Sequence, residues 1–502
     1  MHTPLIKQEA GWLSPVNPAV LVFGEGSGAE AAVQALLAHP VHWVGENAWA
    51  LAETVRAYPR GTILSVRGQR GHFHIEVQGT QGVQWLECGG IVLSPSPILE
   101  VPYSLGLPVS PLIYPVTHAQ RIPAVGQQVA FYLGEEESGG FFTVIAVREA
   151  IRFAEMGSKV YFFFYDLPVA AEGFEALYEQ GLKLGIRFLR LLQPLHVVDE
   201  GNILCLSFHD PMLPQFEAIP LTAEILFAGE RFRPSPEFSR LAELTGIQMD
   251  SEGFLQADNV RYFPIRTNRA GIYVLGAAKG SAYALQASLE AQAIAGELAP
   301  YLTGEILIPD GFARVDPKMC SLCLSCYRVC IQRAVTLDLE TKTVYIDPLA
   351  CQGCGVCAAE CSTMAITLPR PAQDLNPHTG KEIRLYSCEN SGYLALRSLD
   401  LPVEWKDQLD IIAVPCTGDV ASLSILKDLA DGARQVVLLG CHEGNCLYGG
   451  NRQAQARILE IKEKLQSMGL SARKVEWIAV TPNAPWECQN ALRKVCWACP
   501  TP

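Results

Sequence analysis

In the first part of the chain, apolar residues come in short unbroken runs, each followed by a stretch with helical spacing. Ala19 to Phe23, Val41 to Val44, Val129 to Leu133, Val160 to Tyr165 and Phe188 to Leu192 read as strands buried on both faces. Phe142 to Met156 and Glu172 to Leu184 carry the helical period, and Ile203 to Ser207 reads as a further strand of the same alternation. Strand, helix, strand in succession predicts a parallel sheet, so the region is expected to be α/β. Another apolar strand, Gly271-Ile-Tyr-Val-Leu-Gly276, comes late and leads into a helix of small residues. Pro369 to Gly380 has the composition of a linker. Beyond it the rhythm restarts, with strands expected at Lys381 to Tyr386, Leu409 to Val414 and Val436 to Leu439.

The turn after the first strand is Gly24-Glu-Gly26-Ser-Gly28-Ala29, a G-x-G-x-x-G/A pattern with Ala29 in the third place. Glycine there lets the backbone turn tightly and approach a pyrophosphate at the positive end of the following helix. Glu46 follows the second strand, about twenty residues on, where an acidic side chain binds ribose hydroxyls. Strand, fingerprint, helix, strand and acid in that order predict a dinucleotide site. In two-dinucleotide flavoproteins a late strand of the Gly271 to Gly276 kind sets a helix N-terminus near the flavin. Here Ala277 stands where an acidic residue is common. The turn after Val129 to Leu133 is Gly134-Glu-Glu-Glu-Ser-Gly-Gly140. Its three carboxylates repel a pyrophosphate and the glycine spacing is absent, so direct use of NAD(P)H is not expected.

Two copies of one cysteine pattern change the picture. Cys320, Cys323, Cys326 and Cys330 are followed by Cys351, Cys354, Cys357 and Cys361 at the same spacing, and Ala334, Thr336 and Leu337 recur as Ala365, Thr367 and Leu368. Zinc knuckles use paired C-x-x-C units far apart, whereas a third cysteine in each run is the spacing for two [4Fe–4S] clusters. In this pattern the fourth cysteine of each run serves the other cluster. Cys320, Cys323, Cys326 and Cys361 are therefore expected to form one ligand set, and Cys351, Cys354, Cys357 and Cys330 the other. A tight loop should supply three sulfurs and a short helix carry the fourth away. Ile331 and Ser362 replace the proline that usually follows.

The remaining cysteines divide by context. Cys388, Cys416, Cys441 and Cys446 fall at or just beyond strand ends, where α/β domains place their sites, and four thiolates are the count for one [2Fe–2S] centre. Next to Cys441, His442 is better suited to hydrogen bonding than to ligation. Cys88 and Cys205 lie in apolar strands and read as core residues. Cys488, Cys496 and Cys499 have no single reading: Cys496-Trp-Ala-Cys499 is an option for a redox pair, but a frayed tail is the favoured reading of that stretch.

Composition bounds the partners. The net charge is −13 with only 18% charged residues, which argues against a nucleic-acid surface. No uncharged apolar run of about eighteen residues occurs, so no membrane span is expected. The start, Met1-His-Thr-Pro-Leu-Ile-Lys, lacks a secretory pattern, and seventeen cysteines, mostly in cluster-type groups, fit a reducing cytoplasm.

Several stretches resemble the flavo-iron–sulfur subunit of heterodisulfide reductase, fused to the delta subunit of methyl-viologen-reducing hydrogenase. The same fusion occurs in one of the subunits of the quinone-interacting membrane-bound oxidoreductase. For the flavin part these are Val160-Tyr-Phe-Phe-Phe-Tyr-Asp166, Leu177 to Phe188, Gly253-Phe-Leu255 and Ala270 to Gly276. For the delta part they are Val414-Pro-Cys416-Thr-Gly-Asp419, Asp431-Gly-Ala433 and Gly440-Cys441-His-Glu-Gly-Asn-Cys446-Leu-Tyr-Gly-Gly-Asn451. The resemblance implies FAD, two [4Fe–4S] clusters and one [2Fe–2S] cluster held by Cys388, Cys416, Cys441 and Cys446. Ser391 stands where the delta family carries the second cysteine of an opening C-x-x-C pair. No cysteine lies between Cys88 and Cys205, where the heterodisulfide reductase family carries more.

The expected fold is thus α/β and multidomain. It combines a Rossmann-like two-dinucleotide flavoprotein scaffold, a two-cluster ferredoxin insert and a C-terminal α/β iron–sulfur domain. The expected divisions are 1–128 and 236–308 for the FAD scaffold, 129–235 for the inserted unit, 309–372 for the ferredoxin and 373–502 for the delta-like part. The expected role is electron transfer within a cytoplasmic complex, either free or docked at the inner membrane through a partner. Its partners would be other redox subunits: heterodisulfide-reductase-like, hydrogenase, formate dehydrogenase or quinone-reactive. Two other readings stay open: a self-sufficient NAD(P)H flavoenzyme acting on a small substrate, and a scaffold whose flavin site is vestigial.

Overall fold

The computed structural model describes residues 6–8, 11–101, 105–123, 127–134, 141–167, 173–209, 218–255, 264–280, 284–308, 310–369, 380–470 and 474–497. The chain forms two compact units. One comprises Met1–Ser94, Ser239–Leu275 and Glu290–Pro502, and the other Pro95–Phe238 and Gly276–Leu289.

In the first unit, a five-stranded parallel sheet runs in the order Ile272–Val274, Gly90–Ser94, Val20–Gly24, Val41–Gly45, Val55–Pro59. Val20–Gly24 and Gly90–Ser94 are buried at every position, which is why the sequence there shows unbroken apolar runs. An antiparallel meander, Thr62–Gln69, His72–Gly79 and Gly82–Cys88, is inserted in the chain between Val55–Pro59 and Gly90–Ser94. Cys88 closes the meander, fully buried, and burial pushes its thiol up to about 12.

The second unit repeats the plan. Its parallel sheet has the order Ile113–Pro115, Ile225–Ala228, Gln128–Tyr132, Lys159–Phe164, Arg187–Arg190. Phe141–Glu155 and Phe174–Lys183 are its helices, and Phe153 of the first packs on Phe131 and Phe227 of the sheet, with Phe131 stacked on Phe162. The strand expected at Ile203 to Ser207 does not join this sheet. It runs as Leu204–Phe208 in a separate antiparallel meander with His196–Asp199 and Ile219–Ala223. The turn at Glu200-Gly201-Asn202 allows only an antiparallel return, because a parallel partner needs a crossover of about a dozen residues. Most of the acidic turn 134–140 lies outside the described residues.

Within the first unit, the ferredoxin segment pairs Val335–Asp338 with Thr343–Ile346 and Arg314–Val315 with Ile366–Thr367. The C-terminal segment is a four-stranded parallel sheet in the order Leu409–Val414, Ile383–Cys388, Gln435–Gly440, Lys474–Ala479. Cys488 and Cys496 are core residues on the Pro485–Trp497 helix and not part of a frayed tail. Cys499 lies outside the described residues.

A buried ionic cluster fixes this last sheet. Arg384 donates to Asp410 and lies 3.5 Å from Asp428, whose other oxygen accepts the Tyr386 hydroxyl at 2.6 Å. All three charged groups are under a tenth exposed. Arg384→Met would leave two carboxylates buried without their cation, and a loss of about 3–5 kcal/mol is expected. Hydrogen exchange across 380–497 checks this, with faster exchange in the four strands as the expected result.

Candidate metal centres and flavin site

The repeated cysteine runs surround two separate cavities. Cys320, Cys323, Cys326 and Cys361 line one, and Cys330, Cys351, Cys354 and Cys357 line the other. Each run therefore gives its fourth sulfur to the neighbouring cavity. The third cysteine of each run lies inside a short helix, Ser325–Val329 or Val356–Ala359, and the fourth follows that helix.

The backbone that wraps each cavity is unusual in matched places. Leu322 and Leu324 have φ of 54° and 62°, and the equivalent Gly353 and Gly355 have 64° and 78°. Arg333 and Met364, three residues after each fourth cysteine, have 51° and 53°. For non-glycine residues this region costs about 1–2 kcal/mol each, so the first loop bears strain at Leu322 and Leu324 that glycine spares the second, and both copies bear it at Arg333 and Met364. The repeat also reaches upstream. The Asp316 and Asp347 carboxylates accept the Lys318 and Leu349 amides at 2.9 and 2.8 Å, while their own amides donate to Ala365 and Ala334.

Polar hydrogens converge on the sulfurs. Ala313 and Ala334 amides donate to Cys351 and Cys330 at 3.3 and 3.4 Å. The Ser325 and Thr363 hydroxyls lie 3.6 Å from Cys323 and Cys361. Four sulfurs per cavity, inward-facing amides and apolar walls fit a thiolate-held cluster. Among the described residues no three His, Cys, Asp or Glu side chains converge tightly enough to hold one ion, and the described cysteines are free thiols.

The two cavities differ in solvation. Burial pushes the Cys330, Cys351 and Cys357 thiols up, and Cys354 up to about 12. In the other set Cys323 is exposed and the Ser325 amide draws its thiol down. At Cys320 desolvation is outweighed by the Thr343 side chain and the Leu322 and Val344 amides. Met319, Tyr327 and Met364 stand exposed around that set.

The enclosed cavity owes its cover to the C-terminal segment, which places Tyr448 in its wall. Cys388 ends one strand, Cys441 follows another, and their sulfurs lie 3.8 Å apart. The Cys416 and Cys441 thiols donate toward Cys446 and hold its thiol well below the ordinary range. The four C-terminal cysteines thus form one cluster of sulfur. It is joined to the ferredoxin segment by tight packing. A Cβ on Gly450 would come within 2.5 Å of the Cys416 sulfur and 2.8 Å of Val356, and one on Gly418 within 2.9 Å of Val356. Buried Arg457 donates to the Gly418 and Val420 carbonyls and to Glu360. Gln332, two residues past Cys330, bonds the Ala270 amide and the Leu447 carbonyl. The His442 carbonyl accepts from Asn451, so this residue's backbone helps to fix the loop.

The flavin fingerprint is formed as a strand and helix. Val20–Gly24 leads into Gly26–Ala35, whose first turn carries no acidic side chain. Gly26 has φ of 70° with open space beside it, as a pyrophosphate approach requires. Gly28 lies against Ser94, where a Cβ would collide with the hydroxyl, and Ala29 is buried. Glu46 is exposed and 3.4 Å from Arg60. Gly271, at φ of 83°, accepts the Ile91 amide. In the second unit, Gly276, at φ of 64°, opens a single turn, Gly276–Lys279, that includes Ala277. The donor set fits FAD at the first strand and helix.

Fold and cysteine sites together give the chain the parts of an iron–sulfur protein built on a dinucleotide-binding-like α/β scaffold. Residues 383–497 match the methyl-viologen-reducing hydrogenase, delta subunit family, and residues 312–362 the 4Fe–4S dicluster domain. The chain is similar to an iron–sulfur subunit of the CoB–CoM heterodisulfide reductase of Methanopyrus kandleri, 28% identical over 208 residues, which is 39% of this chain and 31% of that one. It is also similar to an iron–sulfur subunit of an F420-non-reducing hydrogenase of Methanococcus voltae, 33% identical over 82 residues, 16% of this chain and 57% of that one. The chain spans about three-tenths of the length of the heterodisulfide reductase relatives. The thioredoxin reductase of Lactococcus lactis overlaps 57% of this chain and 99% of its own at 14% identity and a TM-score of 0.37, too low to add to the topology above.

Two outcomes follow from the geometry. Cys361→Ala should remove about four iron and one EPR spectrum while the enclosed site keeps its own, and Cys330→Ala should do the converse. Gly450→Ala should cost about 1–3 kcal/mol by overpacking. It should also lower iron retention at the C-terminal site, as read by metal analysis after thermal challenge.

Proposed function

We propose that this chain is the electron-transferring component of a heterodisulfide-reductase-like complex. Cys320, Cys323, Cys326 and Cys361 would hold one [4Fe–4S] cluster, Cys351, Cys354, Cys357 and Cys330 a second, and Cys388, Cys416, Cys441 and Cys446 a [2Fe–2S] cluster. Gly24, Gly26, Gly28, Ala29, Glu46 and Gly271, with Gly276 and Ala277, would hold FAD. When bound, the clusters carry single electrons and the flavin couples one-electron to two-electron traffic. The domain divisions expected from sequence would supply these parts.

The observation that carries this reading is the contact of Val356 with Gly418 and Gly450, which brings the C-terminal sulfurs beside the enclosed ferredoxin cavity. This chain's residues then do three things. Amides and hydroxyls stabilise thiolate charge, Tyr448 and Ile331 exclude water from the enclosed set, and Gln332 and Arg457 lock the segments together. The exposed set, rimmed by Met319, Tyr327 and Met364, is the face offered to a redox partner. Among the described residues no helix is long and apolar enough to cross a membrane.

Reduction adds negative charge, so the more solvated, hydrogen-bonded cysteine set should hold its cluster at the more positive potential. An EPR-monitored redox titration of the holo chain should resolve two [4Fe–4S] potentials, with the Cys361→Ala variant lacking the more positive one. Reduced methyl viologen should reduce every centre, whereas NADH should leave the flavin oxidised. Rapid flavin bleaching by NADH would favour the self-sufficient flavoenzyme instead, for which the second unit's nucleotide-binding-like sheet is the supporting observation.

A further inference from the structure

Three residues after Cys388, Ser391 begins the Gly392–Arg397 helix. It is 2% exposed, and its hydroxyl is buried with no hydrogen-bond partner among the described residues. Serine at a helix start ordinarily turns its oxygen onto a free amide of the first turn. Ser391 makes no such bond, and its φ and ψ are −144° and −82°. The Ser391 amide donates to the Cys388 carbonyl at 3.1 Å, closing a turn that folds residue 391 back on the cysteine. Ser387 is also buried without a partner, but it packs against Gly392 and alternates to the opposite face of the strand from Cys388. A buried, unpartnered hydroxyl on a residue folded back onto a ligand cysteine, and spared from capping, is placed to donate to the thiolate that cluster assembly would create there.

We infer that Ser391 is a positioning residue of the C-terminal centre, its hydroxyl donating a hydrogen bond to the Cys388 sulfur and so holding that centre at a more positive potential than the four cysteines alone would. This rests on Cys388, Cys416, Cys441 and Cys446 being a [2Fe–2S] ligand set. The oxygen tunes the site and does not bind iron.

The test uses the full chain purified anaerobically, with Ser391→Ala, Ser391→Thr and Ser391→Cys beside the wild type. Iron and sulfide content, the [2Fe–2S] EPR spectrum and its midpoint potential are the readouts. Ser391→Ala should keep wild-type iron and sulfide, shift the midpoint to more negative values and alter the spectrum, with Ser391→Thr restoring both toward wild type. An unchanged midpoint in Ser391→Ala overturns the inference. Loss of the C-terminal centre in Ser391→Ala and Ser391→Thr, but not in Ser391→Cys, would also overturn it by making residue 391 a ligand position. Wild-type protein with both [4Fe–4S] spectra and no [2Fe–2S] spectrum would instead refute the ligand set, and the role of Ser391 with it.

Discussion

Val356 occupies a slot that only bare backbone leaves open. Gly418 and Gly450 press on it from the C-terminal segment, and Gly450 in turn abuts the Cys416 sulfur. Val356 itself lies between Cys354 and Cys357, so one side chain sets the separation of two sulfur-lined sites. Any side chain at either glycine would push them apart. Buried Arg457, bonded to Gly418, Val420 and Glu360, spans the same joint and keeps it from sliding. In the proposed relay, close approach would matter because electrons tunnel between sites that never touch, and a rigid short gap is what such a relay requires of its protein.

The joint also explains the unequal surroundings of the two ferredoxin cavities. Tyr448 comes from the C-terminal segment and Ile331 packs on Gly449, so the Cys330 set is roofed by its neighbour. Asn268 and Ala270 of the first unit's flavin scaffold bond Ile331 and Gln332 on another side. The Cys320 set keeps Cys323 exposed. Two loops with the same cysteine spacing and the same left-handed positions thus acquire different dielectric environments from what packs on them. Duplication supplied the ligand geometry, and tertiary contact made the copies different.

Much of the fold is legible in the sequence, for physical reasons that can be stated. Buried parallel strands need apolar residues on both faces, so Val20–Gly24, Gln128–Tyr132 and Lys159–Phe164 appear as unbroken runs at nearly their true limits. Cluster ligation constrains spacing within a single loop, so the two runs can be read without any long-range information. Apolar content does not encode strand polarity, which is why Leu204–Phe208 reads as a member of the parallel sheet; the Glu200-Gly201-Asn202 turn does encode its direction. The Asp316 and Asp347 turns are a repeat signal four residues before each run that spacing among cysteines does not bring out. Tyr448, Gly450 and the burial of Ser391 depend on contacts between distant segments and have no local signature.

Iron, acid-labile sulfide and flavin per chain, measured on anaerobically purified full-length protein, test most directly whether this one chain carries three iron–sulfur sites and a flavin. About ten iron, about ten sulfide and one FAD are predicted, the sum of two [4Fe–4S] clusters, one [2Fe–2S] cluster and one flavin. Folded protein that holds zinc at the ferredoxin cysteines, or that contains neither iron nor flavin after anaerobic reconstitution, would contradict it.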